Sequence, residues 1–171
     1  MADPIIVVAY DPGWPAAFER LRDRAAAAVG ELTVAIEHVG STAVPGLAAK
    51  PVIDLVVVVA PHDVAAAIAR LEGVGYTCLG NLGVEGRDAF QVPAGEERHH
   101  LYVSPTDSEE LRAQLAFRDA LRASPKLAAD YEALKRELAK RFRDDRGAYT
   151  EAKTDFVTRA SRSSAPASPS P

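Results

Sequence analysis

The stretch His38-Val-Gly-Ser-Thr-Ala-Val-Pro-Gly-Leu-Ala-Ala-Lys-Pro-Val-Ile-Asp-Leu-Val-Val-Val-Val59 decides the fold. It has three parts. A β-branched segment, Thr33 to Val39, ends in Gly40-Ser41, and a turn-rich loop follows with Pro45, Gly46, Lys50 and Pro51. An apolar run from Val52 to Ala60 then carries a single carboxylate, Asp54. Val and Ile at this density, with no helical period, predict a strand buried on both faces. An ionised Asp left dry and unpaired in such a run would cost several kcal/mol. Asp54 is therefore expected near the start of the strand, within reach of water, a cation or Lys50.

That arrangement suits phosphate. Gly40 lets the backbone approach a ligand closely, and Ser41 and Thr42 add hydroxyls beside exposed N–H groups. A carboxylate from the neighbouring strand can hold a divalent cation, here magnesium, that bridges to phosphate oxygens. The simpler reading is a strand, a tight turn and a second strand, with Asp54 salt-bridged to Lys50. Spacing alone does not separate the two.

A Gly-Ser pair after one strand, followed about a dozen residues later by an Asp on the next, resembles the nucleotidyltransferase-fold signature. The longer strings Glu37 to Thr42, Val44 to Leu47 and Lys50 to Asp54 resemble the GrpB family. So do Gly86 to Phe90, His99 to Val103, Phe117 to Asp119 and Tyr149 to Lys153, so the resemblance covers nearly the whole chain except its tail. It implies an α/β (α+β) domain: a nucleotidyltransferase-like mixed β-sheet flanked by helices, with C-terminal helices packed beside it. It further implies a nucleotide or other phosphorylated small molecule as ligand, with transfer of a nucleotidyl or phosphoryl group on a divalent metal as the sharper version. Relatives fused to dephospho-CoA kinase suggest instead a non-catalytic binding or accessory module and a partner enzyme in coenzyme A biosynthesis. One departure matters. Alternate strand residues share a face, so residue 56 should project beside Asp54. The superfamily has a second carboxylate there, and this chain has Val56. A two-metal clamp is thereby in doubt, with Glu37, Glu85 and Asp88 as candidates for a further carboxylate.

The 171 residues fit one domain, expected over residues 1–160. The Ser-, Ala- and Pro-rich segment Ser161–Pro171 is expected to be disordered. A net charge of −4 argues against a general nucleic-acid binder. Cys78 is the single cysteine, which excludes an intrachain disulfide; it reads as a small apolar group, and a reducing cytoplasm is the expected location. No apolar run is long enough to span a membrane.

Elsewhere, Ile5–Ala9 reads as a first strand and Pro15–Val29 as a helix with Trp14, Phe18, Leu21, Ala25 and Val29 on one stripe. A second helix opens at Pro61-His62-Asp63, and Tyr76–Leu79 reads as a strand. The Gly80–Gly86 segment lacks a dinucleotide fingerprint and reads as a loop. Strands are expected at Ala89–Val92 and His99–Ser104. On the latter His99 should face the core and His100, with Tyr102, the polar side, where His100 could act as a base with Asp54. Arg87 could clamp a phosphate or carboxylate, or form a loop salt bridge with Asp88 or Glu85. Asp107 with Glu110 has capping-box spacing for a helix to Ala123. Ser124-Pro125 starts another to about Arg143, with Leu127, Tyr131, Leu134 and Leu138 on its apolar stripe, and Ala148–Arg159 is a third. Arg118, Lys135 and Lys153 on these helices are the basic residues assigned to phosphate, largely on the family-like strings around them.

Overall fold

The computed structural model of the chain describes residues 5–163. The first helix, α1 (Trp14–Val29), has Pro15 in its first turn and buries Trp14, Ala17, Leu21, Ala25 and Val29, the predicted stripe. Strand β1 (Thr33–Val39) leads into a single 3₁₀ turn at Ser41–Ala43 and then, after the loop, into β2 (Ile53–Val59). Helix α2 (Val64–Gly73) is followed by β3 (Thr77–Gly80), β4 (Asp88–Gln91) and β5 (His99–Pro105). Three helices close the described chain: α3 (Glu109–Ala123), α4 (Pro125–Arg141) and α5 (Arg146–Ser163).

The strands form one mixed sheet in the order β1-β2-β5-β4-β3. Only the β2–β5 pair is parallel; the others are antiparallel. Strand β2 is an interior strand between β1 and β5, and all of it but Asp54 is buried. Its odd residues, Ile53 to Val59, pack with Leu101 and Val103 of β5 beneath α1 and α2. Its even residues, Val56 and Val58, meet Val39, Tyr102, Leu111 and Leu115 under α3. This is the mixed α+β sheet the sequence predicts, helices on both faces. Leu121, Tyr131, Phe117, Leu127 and Phe156 join α3, α4 and α5 to Val44 and Leu47 of the β1–β2 loop. The C-terminal helices thus form a wall beside that loop, as expected.

Three boundaries differ from the reading of the sequence. Ile5–Ala9 is not a strand: Val8 makes one isolated bridge to Ala49, because β2 already has β1 and β5 on its two edges. The segment straps the loop instead, and buried Ile5 packs on Leu138 and Tyr149. The cap of α3 is Ser108 rather than Asp107. Ser108 Oγ accepts from Leu111 N at 3.1 Å and donates to Gly86 O at 2.7 Å, tying the β3–β4 connection to α3. Gly86 is needed there: it has φ +81°, and a Cβ would sit 2.6 Å from that hydroxyl. Finally, α5 runs through Ser163, so the boundary drawn after residue 160 falls inside a helix. The rest of the expected tail, residues 164–171, lies outside the described residues. Among the described residues no helix is long and apolar enough to cross a membrane.

Candidate functional site

Parallel pairing of β2 and β5 puts Asp54 directly beside His100, and antiparallel pairing with β1 puts Val39 on its other side. Near the start of its strand the Asp54 carboxylate can leave the core, and Oδ1 meets His100 Nδ1 at 2.6 Å. Asp54 does not pair with Lys50. Next to it the chain leaves β1 through Gly40, whose φ is +74°. A Cβ at residue 40 would stand 2.5 Å from Asp54 Oδ2, so glycine is required both for the turn and for the carboxylate's place. The Gly-Ser bend and the acid therefore open onto one hollow.

That hollow is a cavity of about 150 Å³. Gly40, Ser41, Thr42, Lys50, Asp54, His100, Lys135 and Lys153 all line it, with Phe117, Tyr131 and Tyr149. Its chemistry is cationic. Lys153 Nζ lies 4.3 Å from the Tyr149 ring centre and Lys50 Nζ 5.2 Å from the same centre. Lys135 is almost fully buried, donates to Ala48 O and stands over the Tyr131 ring. Burial, and then the neighbouring Lys153, pushes the Lys135 ammonium down to about 7. Burial and then Lys50 lower Lys153 to about 8, against the opposing pull of Asp54. Lys50 is lowered by burial, then by Arg146. Three lysines around one small cavity are thus held below their ordinary range, chiefly because burial penalises their charged forms.

The loop that frames the cavity is fixed from several sides. His38 Nε2 meets Thr42 Oγ1 at 2.9 Å, and its ring stacks on Phe18 at 4.5 Å. Burial lowers the His38 pKa to about 4, which keeps the ring neutral. Arg122 donates to Ala43 O through Nε and a terminal nitrogen, at 2.9 and 2.7 Å. Tyr131 lines the same cavity as Ser41. Arg118, also predicted to bind the ligand, lines neither this cavity nor the second one described below. It pairs with Glu37 Oε2 at 2.7 Å and Asp119 Oδ1 at 2.8 Å and also donates to His38 O, so it braces β1 instead of meeting a ligand.

A second cavity, about 250 Å³, adjoins the first at Gly40, Asp54 and Phe117. Arg87 and Tyr102 line it, with the guanidinium 4.4 Å from the Tyr102 ring centre. The anticipated loop salt bridge of Arg87 with Asp88 or Glu85 is not formed among the described residues. His99 faces the core, as predicted, and its ring meets the Tyr76 hydroxyl at 2.9 Å.

Val56 shares Asp54's face but lies deeper, fully buried between β1 and β5. Glu37, its register partner on β1, is engaged by Arg118, and neither Glu37, Glu85 nor Asp88 lines either cavity. Among the described residues no three acidic, His or Cys side chains converge on a common point. The side chains do not build a magnesium site by themselves.

The reading of the sequence missed the aromatic and hydroxyl partners. Tyr131 appeared there only as part of a helical stripe and Phe117 only inside a family string. His38 carried no separate signal. Val157 and Ser161 of α5 line the second cavity, and Ser161 had been assigned to the tail.

Comparison with known proteins gives one consistent answer. The family model described as GrpB protein matches residues 4–163. The crystal structure of the conserved protein GrpB from Enterococcus faecalis superposes with a TM-score of 0.83 at 33% identity, covering 93% of this chain and 96% of that one. A UPF0157 protein of Pseudomonas aeruginosa is 40% identical over 162 residues, 92% of this chain and 66% of its own length. Another curated relative, from Bacillus subtilis, is spanned over only 45% of its length. A dephospho-CoA kinase of Mycolicibacterium paratuberculosis is 32% identical over 187 residues, 93% of this chain and 46% of the kinase.

Proposed function

This chain belongs to the GrpB family, and from that premise we propose that its lysine-lined cavity binds the phosphate groups of a nucleotide or another phosphorylated small molecule. One observation supports this above all: Lys50, Lys135 and Lys153 converge with Ser41 on a cavity that has a single acid in its wall. Burying three ammonium groups together is costly without a counter-anion, and a polyphosphate supplies several acceptors at once. Ser41 and the backbone of the bend would hold one phosphate, and the lysines would neutralise the rest. The Asp54–His100 pair sits at the edge of this site. There the imidazole could take a proton from an attacking group while the carboxylate fixes its orientation. Transfer of a nucleotidyl or phosphoryl group is the enzymatic form of the proposal. Magnesium would arrive with the ligand, sharing Asp54 with phosphate oxygens.

The match to a dephospho-CoA kinase favours a second reading, in which the same cavity binds a coenzyme A precursor without catalysis and serves a partner enzyme. Thermal denaturation separates them. ATP, tripolyphosphate and dephospho-CoA are added at a hundredfold excess over their dissociation constants, with and without magnesium. Saturation at that level stabilises by about 2.7 kcal/mol, roughly 5–10 °C in a domain of this size. Magnesium-dependent stabilisation by ATP that disappears in Asp54→Asn supports transfer chemistry. Metal-independent stabilisation by dephospho-CoA supports the accessory role. No shift with any phosphorylated compound would overturn both.

A further inference from the structure

The second cavity differs in chemistry from the first. Arg87, just before β4, lays its guanidinium on the Tyr102 ring, 4.4 Å from its centre. Its Nε is buried with no hydrogen-bond partner, and among the described residues no carboxylate stands within ion-pair distance of it. A buried guanidinium N–H without an acceptor is costly, and a planar fork of donors matches a carboxylate. On the α3 wall stands Glu110, one oxygen of which accepts from Gln114 Nε2 at 2.8 Å. Val39, Phe117 and Val157 add apolar surface to the lining. A polyanion is disfavoured here by Glu110, in contrast to the lysine cavity. At about 250 Å³ the space lies below the roughly 300–1,000 Å³ of sites that take drug-sized ligands.

From these residues we infer that the second cavity binds a small zwitterion of the α-amino acid type, its carboxylate on Arg87 and Tyr102 and its ammonium toward Glu110. Asp54 borders both cavities, so the zwitterion would lie across that carboxylate from the phosphate groups. The inference rests on the phosphate reading only for what occupies the far side of Asp54.

The experiment is saturation-transfer NMR and calorimetry on the full chain with the standard α-amino acids. Each binder is compared with its carboxylate-free amine and its amine-free acid, and tripolyphosphate is titrated in parallel. At least one amino acid should bind, at least tenfold more tightly than either truncated analogue. Arg87→Gln should weaken it at least tenfold while leaving tripolyphosphate affinity within twofold. Glu110→Gln should erase the preference for the amino acid over the amine-free acid. Absence of binding by every amino acid, or binding indifferent to Arg87→Gln, overturns the inference whether or not tripolyphosphate binds. If Arg87→Gln weakens ATP but not tripolyphosphate and no amino acid binds, the cavity holds the nucleoside instead, and the inference is equally overturned. Failure of tripolyphosphate alone would remove the phosphate reading and leave this one to its own result.

Discussion

The depressed lysines make ligand binding a proton-uptake reaction, and its size follows from their two pKa values. With Lys135 at about 7 and Lys153 at about 8, the free protein at pH 8 holds the first mostly neutral and the second half-charged. A bound nucleoside triphosphate favours both ammonium forms, while its own final proton, lost at roughly pH 6–7, is already mostly gone. Charging both side chains then takes up about 1.4 protons at pH 8, of which Lys135 accounts for about 0.9. At pH 6 the lysines are already charged and take up only about 0.1, so the ligand's own proton release dominates. Calorimetric titration of ATP at pH 8, in Tris and in HEPES, reads the uptake directly from the difference in apparent enthalpy. In Lys135→Met the uptake should fall to about 0.5, and affinity should fall by roughly 10- to 150-fold, the loss of one charge-assisted contact of about 1.5–3 kcal/mol. Tight binding without any buffer dependence at pH 8 would refute the reasoning. So would a Lys135→Met protein with undiminished uptake.

The free protein should also report the same lysines through stability. Their folded pKa values lie below the unfolded one, so the unfolded chain binds more protons from about pH 7 to 10.5 and stability rises with pH across that window. Chemical denaturation at pH 7 and pH 9.5 should show a smaller rise in Lys135→Met than in the wild type; an equal rise would contradict the burial of that ammonium. Gly40→Ala must adopt φ +74° and push its Cβ against Asp54, at 2.5 Å before relaxation. A loss of at least about 1–2 kcal/mol is expected, or roughly 2–8 °C in melting temperature, and a melting point unchanged within a degree would show the bend to be tolerant. Val56→Asp places a carboxylate at a fully buried position among Val39, Val58 and Leu111. It should destabilise the protein by several kcal/mol instead of restoring metal binding, as urea denaturation and a magnesium titration would show. Ser108→Ala removes the α3 cap and the link to Gly86, and should cost about 1–2 kcal/mol in the same urea assay.

The sheet was legible because its signals are local. The run Ile53–Val59 is too apolar to be anything but an interior strand, and the two-residue period placed His99 inward and His100 outward from their neighbours alone. The lysine cavity was readable to the extent that short family-like strings mark its residues. Arg118 shows where that method stops. It sits in such a string, yet its guanidinium faces Glu37 across 81 positions of sequence, a pairing no periodicity reports. Tyr131 shows the converse: an aromatic on a helical stripe is read as core, and only the packing of α4 against the β1–β2 loop brings it to the cavity wall beside Ser41. The shift of the cap from Asp107 to Ser108 has a similar origin, since the serine hydroxyl also serves Gly86 O, a contact from a distant loop.

Val56 and Asp54 together explain why the site has a single acid among its lysines. Residue 56 cannot reach the cavity, because Leu111 and Leu115 of α3 cover its face of β2, while residue 54 stands at the open end of the strand. A second carboxylate at 56 would need the sheet to open there, and Val39, Tyr102 and Leu111 close it. Charge handling therefore moves from strands to helices: α4 and α5 supply Lys135 and Lys153, and the loop supplies Lys50. Fixed ammonium groups can neutralise phosphate where paired metal ions would otherwise do so, but they titrate near neutrality and metal ions do not. A site built this way should bind polyphosphate without added metal and lose affinity as pH rises above about 8. A two-metal site would do neither.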